Sequence, residues 1–144
     1  MCTVRPPGPA DYPAMAELAG QLGYPSTARE VRARLAGMKD PRQYTVFVAE
    51  TSDGQVAGWI GVFIFRCVER APCAEINGLI VDGGQRSQGI GKLLLDAAEK
   101  WARRRGCAEI TVHSNVIRRR AHRFYERHGY QRVKTQKLFA KRLT

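Results

Sequence analysis

Apolar positions change period along the chain, and each change marks an element. Thr3 to Arg5 have room for a short first strand, which Pro6-Pro7 stops. From Asp11 to Leu22, apolar residues recur at Met15, Leu18, Ala19 and Leu22, the spacing of one helix face. Gly23-Tyr24-Pro25 ends that helix. Thr27-Ala28-Arg29-Glu30 fits a capping box, which opens a second helix to about Met38 with Val31, Leu35 and Met38 inward. The period then falls to two. Tyr44 to Glu50 and Val56 to Phe65 are rich in β-branched and aromatic residues, and Ser52-Asp53-Gly54 supplies the hairpin turn. Pro72 breaks the chain, and Ala74 to Val81 is a third long strand.

A glycine-rich loop, Asp82 to Gly91, leads into the most regular helix. Its apolar face is Ile90, Leu93, Leu94, Ala97, Ala98 and Trp101. Arg103-Arg104-Arg105 suits the negative end of the helix dipole, and Gly106 stops the helix. Glu109 to Val112 reads as a short strand. Arg118 to His128 reads as a helix that groups Ala121, Phe124 and Tyr125, closed by Gly129. Val133 and Leu138-Phe139 lie in two closing strands. The order is βααβββαβαββ, an α/β chain mixing sheet and helix in one layer system.

At 144 residues and 44% hydrophobic, the chain holds one domain, 1–144, with a single core and no disordered tract. No apolar run approaches the roughly 20 residues of a membrane span. The N-terminus lacks the basic-then-apolar pattern of an export signal, so a soluble, cytoplasmic protein is expected. Cys2, Cys67, Cys73 and Cys107 form no Cys-x-x-Cys, and no histidine stands at zinc-finger spacing, so no metal site is expected. Free thiols in a reducing compartment are the expectation.

The net charge of +11 is uneven. Residues 1–85 hold 8 Lys/Arg against 9 Asp/Glu, and residues 86–144 hold 16 against 4. Such a half meets a polyanion or a phosphorylated small molecule, or else merely coats a solvated face. The loop at its start favours the small molecule. Free backbone amides at the positive end of a helix dipole form an anion site, and Gly89 and Gly91 carry no side chain to keep a phosphate away. Arg86 and Lys92 add charge at the mouth. Gly84 and Gly89 have P-loop spacing, but Ile90 stands where lysine is required. A dinucleotide fingerprint fails at Leu94, where its third glycine belongs.

Arg86-Ser87-Gln88-Gly89-Ile90-Gly91 resembles the Arg/Gln-x-x-Gly-x-Gly/Ala motif of the GNAT superfamily of acetyl-CoA-dependent N-acetyltransferases. The stretch from Ala121 to Tyr130 is similar to that superfamily's later Ala-x-x-Phe-Tyr-x-x-x-Gly-Phe/Tyr segment, preceded by Ser114-Asn115. The two motifs are in register with the element order over essentially the whole chain. The resemblance implies a central mixed sheet flanked by helices on both faces, and acetyl transfer from acetyl-CoA to a primary amine.

Residue by residue, it implies that Arg86, Ser87, Gln88, Gly89, Ile90, Gly91 and Lys92 hold the coenzyme A pyrophosphate. Leu79, Ile80 and Val81 would pair their backbone with the pantetheine arm like an added strand. The family splays this strand from the next, near Glu109 to His113, and a bulge around Gly78 would serve that splaying. Asn115 would hydrogen-bond the pantetheine, or else satisfy its own loop. Tyr125 would protonate the leaving thiolate, or else pack in the core.

The reaction needs an uncharged amine, and Glu75 is the first candidate base. It lies eleven residues before Arg86, where the resemblance places the catalytic glutamate of some family members, and it alternates with Asn77 and Leu79 on one strand face. A surface or ion-paired glutamate is the alternative. His113 is the second candidate base and an acceptor contact. Tyr24 and Asn77 are further acceptor contacts, with the closing hairpin around Thr135 completing the pocket. Arg118-Arg119-Arg120 suits the coenzyme's 3′-phosphate or a solvated helix start. A homodimer is compatible with the family. Two other functions fit the fold or the charge: a non-catalytic acyl-CoA-binding regulator, and a basic nucleic-acid-binding module. The basic half lacks interleaved exposed aromatics and any recognition motif, which argues against nucleic acid.

Overall fold

Five strands form one mixed sheet in the computed structural model, which describes residues 2–144. They are β1 (Cys2–Arg5), β2 (Tyr44–Thr51), β3 (Val56–Phe65), β4 (Cys73–Val81) and β5 (Ile110–Val112), in the spatial order β1-β2-β3-β4-β5. The first four pair antiparallel, and β4 pairs parallel with β5. The helices are α1 (Tyr12–Leu22), α2 (Ala28–Ala36), α3 (Ile90–Arg104) and α4 (Arg119–Arg127). The chain divides into two compact units, one ending at Val112 and the other His113–Thr144. All five strands and α1 to α3 belong to the first.

The two faces of β3 carry different helices. Trp59 donates its indole N–H to the Met15 carbonyl at 3.2 Å, which fixes α1 on the face of Trp59 and Gly61. The opposite face carries Gly58, Ile60 and Val62, and α3 packs there. A Cβ at Gly58 would lie 2.7 Å from the Ile80 carbonyl oxygen and 3.1 Å from Leu94 Cδ1, so only glycine admits both neighbours. Helices therefore cover both sheet faces, as the fold class requires. Thr27 caps α2 as expected: its hydroxyl accepts from the Glu30 amide at 3.1 Å, and Glu30 accepts from the Thr27 amide at 2.9 Å.

Three expectations are corrected. On α3, Leu93 is 41% exposed and Leu95 is buried in its place. The buried stripe runs Ile90, Leu94, Leu95, Ala98, Trp101 and Ala102, rotated by about one residue from the stripe expected. In β4, pairing jumps from Ile76↔Val62 to Gly78↔Gly61, leaving Asn77 as an extra residue. The expected bulge is there, but it breaks the alternation. Glu75 pairs with Phe63 and Leu79 with Ile60, three positions apart on β3 and so on opposite faces. Glu75 faces the α1 side with Asn77; Leu79 does not.

The third correction concerns the second unit. In α4, Ala121, Phe124 and Tyr125 are half-buried together, and Phe124 meets Tyr125 and His128 edge-on at ring distances of 5.3 and 4.7 Å. Gly129, at φ 93°, turns the chain out of the helix. The two closing strands do not form. Residues 131–144 carry no regular structure, and Val133, Leu138 and Phe139 are 82, 95 and 86% exposed. The segment holds five Lys/Arg and no carboxylate, and its apolar residues keep no two-residue period. Thr135 consequently lies in no hairpin.

An ion cluster ties β1 to β2 and to the start of α1. Arg5 contacts Asp11 at 2.7 Å and Glu50 at 2.6 Å. Among the described residues Asp11 is the one buried charged side chain, and it also accepts from the Gly8 amide at 2.7 Å. The Arg5 guanidinium holds the Asp11 carboxyl below the ordinary carboxylate range. A depressed carboxyl contributes stability above its unfolded value and loses it as pH falls through the folded one. Asp11→Asn therefore destabilises at neutral pH by about 2 kcal/mol, less than a fully buried pair because Arg5 is a third exposed. The melting temperature falls by about 6 °C, and the difference from wild type shrinks in strong acid. Thermal melts at several pH values check both statements.

Candidate active site

The loop after β4 is tied down in its first half and open in its second. The Asp82 amide donates to the Ala57 carbonyl at 2.7 Å, and the Gln85 amide to the Asp82 carbonyl at 2.9 Å. Gln21 of α1 grips the same corner. Its Oε1 accepts from the Gly83 amide at 3.0 Å, and its Nε2 donates to Asp82 Oδ1 at 2.9 Å. The chain then reverses through Ser87 (φ 68°) and Gly89 (φ 79°) into α3. Ser87 is the one non-glycine at positive φ among the described residues, at a cost of about 1 kcal/mol. Gly89 is the N-cap of α3 and offers no side-chain cap. Among the described residues, the amides of 87–92 donate to no protein group. They form a run of unspent donors at the positive end of a 15-residue helix.

Arg86 to Gly89 are exposed at this turn, and Ile90 anchors it at 2% exposure. Lys92 points along the helix instead: its Nζ is 2.8 Å from Asp96 Oδ2, and Asp96 holds its pKa above the usual lysine value. Lys92 reaches an anion at the turn only by leaving Asp96.

β4 and β5 part next to the bulge. Their ladder covers Ala74↔Ile110, Glu75↔Thr111 and Ile76↔Val112 and then ends, while β4 runs on to Val81. Leu79, Ile80 and Val81 thus lie in the stretch without a β5 partner, and their outer backbone edge can pair with an extended ligand.

On the α1 side of the sheet lies a cavity of about 570 Å³, walled by α1, α2, their connection, β2, β3 and β4. Its walls include Met15, Leu22, Met38 and Trp59, and Tyr24 and Asn77 both line it. Asn77 turns its side chain over Gly61, where a Cβ would collide with Oδ1. Gly78 is similarly held: a Cβ there would lie 2.7 Å from the Trp59 ring. The bulge thus brings Asn77 to the cavity and leaves Glu75 on the same sheet face.

The remaining expected residues belong to the second unit. His113 opens it and is exposed. Asn115 Oδ1 accepts from the Ile117 amide at 3.1 Å, and its carbonyl accepts from the Arg118 amide at 3.0 Å. His122 Nε2 also contacts that carbonyl at 2.8 Å. Asn115 therefore braces the start of α4. Tyr125 packs against Phe124 and Tyr130, and burial pushes its hydroxyl above the ordinary tyrosine pKa, with Arg118 opposing.

A sequence profile described as the Acetyltransferase (GNAT) family matches residues 12–130. The chain belongs to the GNAT acetyltransferase family. It is an acyl-CoA N-acyltransferase, and acetyl-CoA is its cosubstrate. The enzyme is 29% identical over 133 residues to an aminoglycoside N(6′)-acetyltransferase type 1 of Stenotrophomonas maltophilia, covering 90% of this chain and 86% of that one. It is 39% identical over 80 residues to the aminoalkylphosphonate N-acetyltransferase of Salmonella typhimurium, covering 55% and 52%. Its fold matches that of AAC(6′)-Iy bound to a bisubstrate analogue, CoA-S-monomethyl-acetylneamine, at TM-score 0.81, 20% identity and 99% coverage of both chains.

Sequence reasoning missed two features of this acetyltransferase. Gln21, which clamps the loop, is 61 and 62 positions from its partners and carries no local signal. Trp59 looks like an ordinary strand aromatic; the glycine that leaves room for its ring, Gly78, lies on the neighbouring strand. Among the described residues, no helix is long and apolar enough to cross a membrane.

Proposed function

We propose that this cytoplasmic acetyltransferase, acting as a single domain over 1–144, moves the acetyl group directly from acetyl-CoA to a primary amine of a small molecule or protein. The amine nitrogen attacks the thioester carbonyl; the C–N bond forms and the C–S bond breaks. The proton lost by nitrogen goes to Glu75, directly or through water, and the departing thiolate takes the Tyr125 hydroxyl proton. The products are an acetamide and free coenzyme A. In this reading the amides of 87–92, with Arg86, bind the pyrophosphate, and the outer edge of Leu79, Ile80 and Val81 pairs with the pantetheine. Asn115 supports the pantetheine from its backbone-braced loop. Tyr24, Asn77 and His113 contact the acceptor.

The observation that carries this reading is the run of unspent amides at 87–92, directly after a strand whose outer edge lies open past Ile76. A ligand bound only by the folded state stabilises it by about 2.7 kcal/mol at a hundredfold excess over its Kd. Coenzyme A therefore raises the melting temperature by several degrees, and acetyl-CoA releases free thiol when a mixed panel of amines is added. No melting shift together with no thiol release from any amine rejects the proposal.

A further inference from the structure

The cavity beside Asn77 also bears on which amine is accepted, an inference that rests on the acetyl-transfer reading above. We infer that the acceptor is an apolar monoamine, an alkyl or aryl group bearing one amine, and that polycationic amines are poor substrates. About 570 Å³ holds a small molecule of that kind. The walls are mainly aliphatic, thioether and indole surface, with Met15, Leu22, Leu35, Met38 and Trp59 prominent. The Trp59 N–H is already spent on the Met15 carbonyl at 3.2 Å, so the indole presents its apolar ring.

The charges point the same way. Among the described residues, Arg34 is the one charged side chain of the lining, and it is a cation. It donates to Ser26 at 2.9 Å and pairs with Glu30 at 3.5 Å. Glu30 is outside the lining, and its carboxylate is occupied by Arg34 and by the Thr27 amide at 2.9 Å. Among the described residues, no carboxylate lines the cavity. Glu75, on the same sheet face, is one acid and serves one ammonium group. A second or third ammonium carried by the same substrate would be desolvated with no counter-charge, which is strongly unfavourable.

The full-length protein with acetyl-CoA is assayed for thiol release with phenethylamine, hexylamine and tryptamine, and with spermidine and neamine. The best monoamine is expected to exceed both polyamines at least tenfold in kcat/KM. Met38→Glu, which adds a carboxylate at the wall, narrows that ratio about tenfold or inverts it. Leu22→Glu repeats the test from α1 should the first variant fail to fold, folding being read from the melting shift with coenzyme A. Equal or greater kcat/KM for spermidine or neamine with the wild-type enzyme overturns the acceptor class and leaves acetyl transfer standing. A ratio unmoved in a folded carboxylate variant also overturns it. Thiol release from none of the five amines overturns the inference; if coenzyme A also gives no melting shift, acetyl transfer falls with it.

Discussion

Tyr125→Phe lowers kcat by about 100-fold or more while coenzyme A still raises the melting temperature as in wild type. The substitution removes one hydroxyl and keeps the ring that packs 5.3 Å from Phe124 and 5.7 Å from Tyr130. Folding of the second unit is therefore retained, and the lost chemistry is separable from lost structure. A thiolate expelled without a proton donor is a poor leaving group, and the acid must still hold its proton at working pH. Burial supplies that condition by pushing the Tyr125 hydroxyl above the ordinary tyrosine value of about 10, against the pull of Arg118. The sign follows directly. Tyr125 is active when protonated, so its alkaline limb in kcat lies above the usual tyrosine range and is missing from the phenylalanine variant. A variant with wild-type kcat would remove Tyr125 from the mechanism and leave it as a packing residue of α4.

What the sequence made legible was local. The Thr27–Glu30 box, the Ser52–Gly54 turn, the glycine loop and the start of α3 each depend on residues within a few positions, so their chemistry is written contiguously. What it hid depends on partners. The stretch Leu93-Leu94-Leu95 is apolar throughout, and only the packing of α3 on β3 selects Leu94 and Leu95 for burial. The bulge at Asn77 was anticipated near Gly78, but which face Leu79 takes depends on the pairing of Leu79 with Ile60. Glu75 and Asn77 share a face by simple alternation; the shift adds Gly78 to that face and turns Leu79 to the other. The tail shows the opposite error. Val133, Leu138 and Phe139 have strand-forming side chains, yet propensity without a ladder partner or an alternating face leaves residues 131–144 irregular. The cavity was half legible. Tyr24 and Asn77 were anticipated, whereas Trp59, Arg34 and Met38 come from elements whose adjacency only the sheet and helix packing establishes.

Glu75→Gln lowers kcat/KM by about 100-fold at neutral pH, and the loss shrinks as pH approaches the pKa of the acceptor's ammonium group. The acceptor arrives as an ammonium ion and must lose a proton before its lone pair can attack. A glutamine of nearly the same size occupies the same place in the ladder, opposite Phe63 and Thr111, and cannot take that proton. With rising pH the solvent supplies more neutral amine, the base becomes dispensable, and the wild-type and variant rates converge. Weakly basic acceptors such as anilines, already neutral at pH 7, show the small difference from the outset. A purely structural role for Glu75 gives another pattern: the loss stays constant across pH and across amine basicity, and coenzyme A stabilisation weakens with it. A rate unchanged at neutral pH moves the base to His113 or to solvent. The paired comparison of strongly and weakly basic amines, measured on both proteins over one pH series, separates these outcomes because proton removal responds to amine basicity and packing does not.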